Sequence, residues 1–346
     1  MPAGRGALAV LGVLLVFVLP LGALLTGCVP EGERTGNASN TTTQPAEGGS
    51  SAQPPPNVAR AAAAEIDEAS IRTSLAHLTG ASPAPLPSGP TTITERGSED
   101  GRRAAAEYMK KSFEEMGIPA RILQFTSDYG RGYNVEATLE GTEGKKHLWV
   151  TAHLDSFYNA GAEDDASGLV SVLSTAKALK QLDPKHTVHF VAYDLEEVGL
   201  VGSTIYVGST VSAIREREGE RAIIGDIHSD MIGYDDGGEF DAVMGTCDRA
   251  GAIDEAVLRA SETIDSPINL SEDCLGRSDH QNFWDASLPA AVMTDSAKYD
   301  RYPWYHEPGD TIDKVNVPYL RSMIQLNAAT AALLAAPESE SRWRKQ

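Results

Sequence analysis

Two apolar runs that each end in ionisable side chains constrain this chain more than anything else in it. The first, His147 to His153, leads into Leu154-Asp155-Ser156, and the second, residues 187–194, leads into Leu195-Glu196-Glu197. Runs without polar alternation belong to strands covered on both faces. Between them the polar loop Gly161-Ala162-Glu163-Asp164-Asp165-Ala166-Ser167-Gly168 opens a helical pattern over 168–182. Strand, crossover helix and strand predict parallel neighbours in one sheet, each delivering imidazole or carboxylate at its trailing end. In an open α/β sheet that edge is where ligands sit.

The same alternation continues along the chain. Apolar spacing predicts helices over 61–78, 99–116, 253–264 and 318–335. Strands are expected over 122–125, 133–139, 222–231, 242–245 and 290–294. Strands interleaved with helices imply an α/β fold, a single three-layer domain whose mixed, mostly parallel central sheet carries helices on both faces. We find no internal repeat and no second domain.

Composition bounds the partners. The 346 residues are 41% hydrophobic, enough for one large core, and 49 acidic against 29 basic side chains give a formal charge of -20. A surface that negative repels nucleic-acid phosphates and anionic headgroups, so no nucleic acid is expected as a partner.

The amino-terminal end carries an address. Arg5 precedes an almost wholly apolar run over 7–25, long enough to span a bilayer if retained. Leu25-Thr26-Gly27-Cys28, however, resembles the lipobox of bacterial lipoproteins, in which the signal is cut before a lipid-bearing cysteine. That reading makes 1–27 a lipoprotein signal peptide, 28–58 a flexible tether rich in Gly, Ser, Thr, Asn, Gln and Pro, and 59–340 the folded domain. The domain is then exported and held to the cell or outer membrane by a lipid on Cys28. Two sequons, at Asn37 and Asn40, are read as chance matches. Cys247 and Cys274 are free to oxidise in such a compartment, and the sequence leaves open whether they meet.

The chemistry-bearing candidates, in chain order, are His153, Asp164, Glu197, Asp230 and His306. Imidazole plus carboxylate is a donor set that suits zinc, although cobalt or manganese would accept it too. Five side chains hold two ions only if one carboxylate bridges them, and two ions about 3.5–4 Å apart can polarise a carbonyl and acidify a water. Each residue alone reads as readily as a core histidine or a solvated acid. The tension lies in Glu196-Glu197 and Asp164-Asp165, adjacent acids at the ends of buried segments, which are costly to bury without cations.

Five segments together resemble the co-catalytic zinc aminopeptidases, the clan of the bacterial leucyl aminopeptidases, glutamate carboxypeptidases and glutaminyl cyclases. They are His153-Leu154-Asp155-Ser156, the loop from Gly161 to Gly168, Glu196-Glu197-Val198-Gly199-Leu200-Val201-Gly202-Ser203, Ser229-Asp230-Met231 and Tyr305-His306-Glu307-Pro308-Gly309-Asp310-Thr311. Arg96-Gly97-Ser98 and Tyr133-Asn134-Val135 fit as well, and the resemblance covers roughly residues 66–336. It implies one zinc on His153, Asp164 and Asp230, and a second on Asp164, Glu197 and His306, with Asp164 bridging. It implies Glu196 as the general base, Asp155 as the acid that orients His153, Tyr305 as an oxyanion-stabilising phenol, and a cis peptide between Asp164 and Asp165. Some relatives place a tyrosine before the segment corresponding to Ser278-Asp279-His280; this chain has Leu275-Gly276-Arg277 there.

The expected activity is hydrolysis of N-terminal peptide bonds, with peptides bearing a free N-terminus as substrates. Within the clan, a glutaminyl cyclase or a carboxypeptidase using Arg277 or Arg301 is the alternative. From another class, the chain would be a non-catalytic binding lipoprotein on the same scaffold.

Overall fold

A computed structural model describes residues 56–296 and 301–336; the signal segment, Cys28 and the tether up to residue 55 lie outside the described residues. Helix α1 (Pro56–Ala64) begins inside the last residues of the expected tether. The helix expected over 61–78 is two helices. Asp67 breaks it, accepting from Ser70 N at 2.8 Å as the N-cap of α2 (Glu68–Leu78) while its other oxygen meets Lys177. A hairpin of β1 (Ala84–Leu86) and β2 (Gly89–Thr91) follows, in a proline-rich stretch that carries no strand signal. Then come α3 (Glu99–Glu115), capped by Ser98, and β3 (Ala120–Ser127) and β4 (Gly130–Leu139).

The central unit matches the expectation closely. β5 (His147–His153), α4 (Ala166–Lys180) and β6 (Thr187–Tyr193) form the strand–helix–strand crossover, with β5 and β6 parallel and fully buried. The next helical rod has no counterpart in the sequence reading. It comprises α5 (Val201–Tyr206), a π-helical turn (Val207–Val211) and α6 (Ser212–Glu218). Its Val, Gly, Ser and Thr are weak helix formers, so packing rather than propensity holds it. β7 (Ile223–Ser229), β8 (Asp241–Gly245), α7 (Ala252–Ile264), β9 (Asn269–Asp273), α8 (Gln281–Asp285), β10 (Ala290–Asp295) and α9 (Val317–Ala335) complete the described elements.

The eight-stranded sheet runs β3-β4-β6-β5-β7-β10-β8-β9. Its four middle strands are mutually parallel, and β4 and β8 flank them antiparallel. One face, with Leu148, Val150, Val188, Phe190 and Ile227, packs in the main apolar core with α4, α7 and α9. The opposite face, with Trp149, Val191 and Tyr193, packs against the α5–α6 rod and α8. Helices on both faces are what the alternating pattern implied. Cys247 and Cys274, just past the ends of β8 and β9, are disulfide-bonded, which settles the pairing the sequence left open. No helix among the described residues is long and apolar enough to cross a membrane.

Candidate metal centre

The middle strands carry their ionisable residues to one edge. His153 is the last residue of β5, Glu196 and Glu197 lie just past β6, and Asp230 follows β7. The crossover from β6 passes β5 to reach β7, so the strand order turns at β5 and the crevice opens there. Asp164 arrives from the loop between β5 and α4, and His306 from the segment preceding α9.

These five side chains converge on two poles. His153 Nε2 lies 2.9 Å from Asp164 Oδ1 and 3.8 Å from Asp230 Oδ1. His306 Nε2 lies 2.8 Å from Glu197 Oε2 and 3.5 Å from Asp164 Oδ2. Each oxygen of Asp164 therefore faces a different histidine. The Asp164–Asp165 peptide is cis, as the resemblance implied.

Asp165 also approaches His153 and Asp230, with atoms of the three within 4.8 Å of one another. Its oxygens are already engaged. Oδ1 accepts from Gly168 N at 2.8 Å and from Met231 N at 3.3 Å, and Oδ2 accepts from His153 N at 3.2 Å. It caps α4 and ties that helix to the ends of β5 and β7, so it serves the scaffold. A Cβ on Gly168 would lie 2.4 Å from that carboxylate and 2.6 Å from Ser229 O, so this turn closes only around glycine.

Asp155 behaves differently from a simple histidine orienter. Its Oδ1 lies 3.7 Å from His153 Nδ1, longer than a hydrogen bond, while its two oxygens accept from Glu196 N at 3.0 Å and Glu197 N at 3.2 Å. Asp155 thus aims the Glu196-Glu197 backbone and acts on the His153 ring through its charge. Glu196 lies among His153, Asp230, Asp279 and Glu197, and burial together with the neighbouring acids pushes its carboxyl well up. Tyr305 is half-buried beside the same acids, and burial with those charges keeps its phenol protonated by pushing it up.

Two residues that hold the site were not singled out for that role in the sequence. Asp310 accepts from Glu163 N at 2.9 Å, Asp164 N at 3.1 Å and the Tyr302 hydroxyl at 2.7 Å, so it sets the loop that presents Asp164. Arg96, fully buried, donates to the carbonyls of Leu78, Leu154, Ala160 and Gly161. Both sit inside quoted motifs, but nothing in their spacing indicates that they grip a loop about sixty or one hundred and fifty residues away. Asp279 accepts from Ser203 Oγ, and His280 meets the Leu275 carbonyl through Nε2 at 2.7 Å without capping α8. Arg301 pairs with Asp236 at 3.5 Å on the surface.

Whether cations fit can be judged from the donors themselves. Asp155, Glu163, Asp164, Asp165, Asp230 and Asp279 are all buried in one neighbourhood, with Arg96 the fully buried guanidinium beside them. Burial and the Asp164 charge push Glu197 up to about 7, the mark of a carboxylate short of positive partners. Burial works against the charge on Asp230 as well, but the His153 ring outweighs it and holds Asp230 down to about 2. Glu197 Oε1 is buried without any hydrogen-bond partner. Leaving such an oxygen bare costs about 1–3 kcal/mol or more, and a dication removes that cost. The residues present fit two ions of the kind that imidazole and carboxylate prefer.

The profile of peptidase family M28 matches residues 134–331. The chain belongs to peptidase family M28. Among curated relatives it is similar to leupeptin-inactivating enzyme 1 of Streptomyces exfoliatus, 28% identical over 235 residues (66% of this chain, 51% of the relative). It is also similar to aminopeptidase YwaD of Bacillus subtilis, 30% identical over 200 residues (56% of this chain, 42% of the relative). The chain spans about half the length of these two relatives.

Solved structures agree on the fold of this M28 chain. The zinc aminopeptidase BSAP from Bacillus subtilis superposes with a TM-score of 0.69 at 16% identity, covering 80% of this chain and 97% of that one. The aminopeptidase from Aneurinibacillus sp. strain AM-1 gives 0.67 at 17% identity, covering 81% and 96%.

Proposed function

We propose that this chain is a zinc metallo-aminopeptidase that removes N-terminal residues from peptides. It uses two ions, one on His153, Asp164 and Asp230 and the other on Asp164, Glu197 and His306. The observation that carries the reading is the division of Asp164, whose two oxygens face two separate histidines. The aminopeptidases among its relatives support peptides with a free N-terminus as substrates. Export and anchoring through a lipid on Cys28 belong to the same proposal, on the strength of the apolar leader and the Leu25-Thr26-Gly27-Cys28 pattern.

The bound pair supplies Lewis acidity, polarising the scissile carbonyl and making a water nucleophilic near neutral pH. The protein does the rest. Glu196, its backbone aimed by Asp155, accepts the proton of the attacking water and returns it to the departing amine. Tyr305, kept protonated by burial, donates to the developing oxyanion. Asp310 and Arg96 keep the Asp164 loop in place while charge moves.

The test is a screen of aminoacyl-fluorophore substrates with purified chain, before and after chelation and after readdition of Zn2+. Release that stops with chelator and returns with zinc is expected. Cyclisation of N-terminal glutamine instead of release would make the chain a glutaminyl cyclase-like member. Two tightly held zinc ions with no turnover on any substrate would favour a binding protein on this scaffold.

A further inference from the structure

The two histidines of the metal centre are held by different means. His153 is buried at the end of a central strand, where close packing holds its ring; its Nδ1 lies 3.7 Å from Asp155 and makes no hydrogen bond. His306 is in a loop, its side chain is 29% exposed, and both of its carboxylate contacts are made by Nε2. Among the described residues no acceptor pairs with its Nδ1. Metal-binding histidines usually donate that second nitrogen to a carboxylate or carbonyl, which fixes the plane of the ring. Without such a bond the torsion about Cβ–Cγ is soft, since the well for histidine is broad.

Aromatic rings take the place of the missing acceptor. The Phe157 ring lies 4.4 Å from the His306 ring, centroid to centroid, with planes 8° apart. Tyr305 lies 3.8 Å away at 25°. Two rings that close and that nearly parallel to one small ring fit only on its opposite faces. The loop bearing Phe157 is itself tied down: Ser156 Oγ accepts from Arg96 N and donates to Asn159 O, and Asn159 Nδ2 donates to Glu307 O, next to His306. Phe157 is 45% exposed, so its ring covers the His306 face from the solvent side of the loop.

We propose that Phe157 is a positioning residue, one half of an aromatic clamp that with Tyr305 sets the plane of His306 and thereby the affinity of the ion held by Glu197 and His306. The proposal rests on the two-ion reading of the site. Its signature is asymmetry: the ion on His153 and Asp230 is indifferent to Phe157, and the ion on His306 is not.

The experiment is titration of the metal-free full chain with Co2+ alone, followed by calorimetry and by the visible absorption of the bound ion. It compares wild type with Phe157→Ala, Phe157→Leu, Phe157→Tyr and His306→Ala. Loss of an orienting partner typically weakens metal affinity about 10–100-fold. In Phe157→Ala one equivalent is expected to weaken by about tenfold or more while the other keeps its affinity. Phe157→Leu, which keeps apolar bulk without a flat face, should behave like Ala, and Phe157→Tyr should restore the wild-type pattern. His306→Ala should weaken the same equivalent.

The clamp alone is overturned if His306→Ala loses that equivalent but Phe157→Ala binds both like wild type. It is overturned equally if Leu rescues as well as Tyr. A wild-type chain that takes up fewer than two equivalents, or a His306→Ala chain that keeps both, overturns the two-ion reading and the clamp with it.

Discussion

Strand β5 carries a histidine at each end, and the two ends differ instructively. At its start, His147 Nε2 meets Glu218 at 3.0 Å, His147 Nδ1 meets His189 Nε2 at 2.9 Å, and His189 Nδ1 meets Glu136 at 3.1 Å. The two rings meet edge to edge, with centroids 5.2 Å apart, and Trp149 stacks on His189 at 4.8 Å. This is a linear chain in which every ring nitrogen has its own partner. At the far end of β5 the same residue types converge instead of alternating. Several acids crowd His153 and His306, and a carboxylate oxygen is left bare. Histidines and carboxylates in a row satisfy each other with hydrogen bonds; gathered around a point with acids in excess, they form a donor set that suits a metal.

The sharpest way to break this comparison is to remove one acid from each end. Glu196→Ala should lower kcat by about 10²–10⁴-fold, the usual worth of a general base, with both metal equivalents retained. Turnover unchanged in that variant would sink the base assignment. Glu136, at the other end, should govern acid stability and not activity. Burial pushes its carboxyl up, but bonds from His189, Tyr206 and Arg121 outweigh this and hold it down to about 2. A carboxyl depressed in the folded state stabilises the protein above its unfolded value and loses that contribution as pH falls toward the folded one. Stability on the order of 3 kcal/mol should therefore disappear between about pH 4.5 and pH 2, and Glu136→Gln should flatten that part of the profile. Denaturant titration across that range checks it; a variant with the wild-type slope would contradict it.

Smaller effects sharpen the contrast. Asp310→Asn replaces no candidate ligand but frees the loop that presents Asp164, so metal affinity should fall about 10–100-fold. Unchanged affinity by calorimetry would reduce Asp310 to packing. The mildest change is His147→Gln, which interrupts the satisfied chain. It should cost about 1–2 kcal/mol in denaturant midpoint while kcat and metal content stay at wild-type values. A loss of metal in His147→Gln would erase the distinction between the two ends.

Much of this arrangement is legible in one dimension. The runs ending at His153 and Asp194 read as buried strands because they lack polar alternation, and adjacency of acids to those ends marked the edge that matters. Of the five ligand candidates, His153, Glu197 and Asp230 lie at the strand ends that the pattern predicts, whereas Asp164 comes from the loop between β5 and α4 and His306 from the segment preceding α9. The α5–α6 rod escaped notice because its residues favour helix only weakly and its stability comes from Tyr206, Val207, Val211 and Ile214 packing on the sheet. The split at Asp67 was missed although an aspartate three residues before Ser70 is an ordinary capping signal. Asp310, Arg96 and Phe157 act across long sequence separations, and no local pattern reports a contact of that kind.

From the order of residues alone followed the layered architecture, the edge where chemistry gathers and the residue types gathered there, because burial and periodicity are local properties of a chain. Which atoms face which was decided only by folding. The opposed oxygens of Asp164, the bond between Cys247 and Cys274, the rings on either side of His306 and the hydrogen-bonded histidine pair at the start of β5 all depend on distances between segments far apart in sequence. Such distances are set by how the layers pack, and packing sums many contacts that no single stretch of sequence contains.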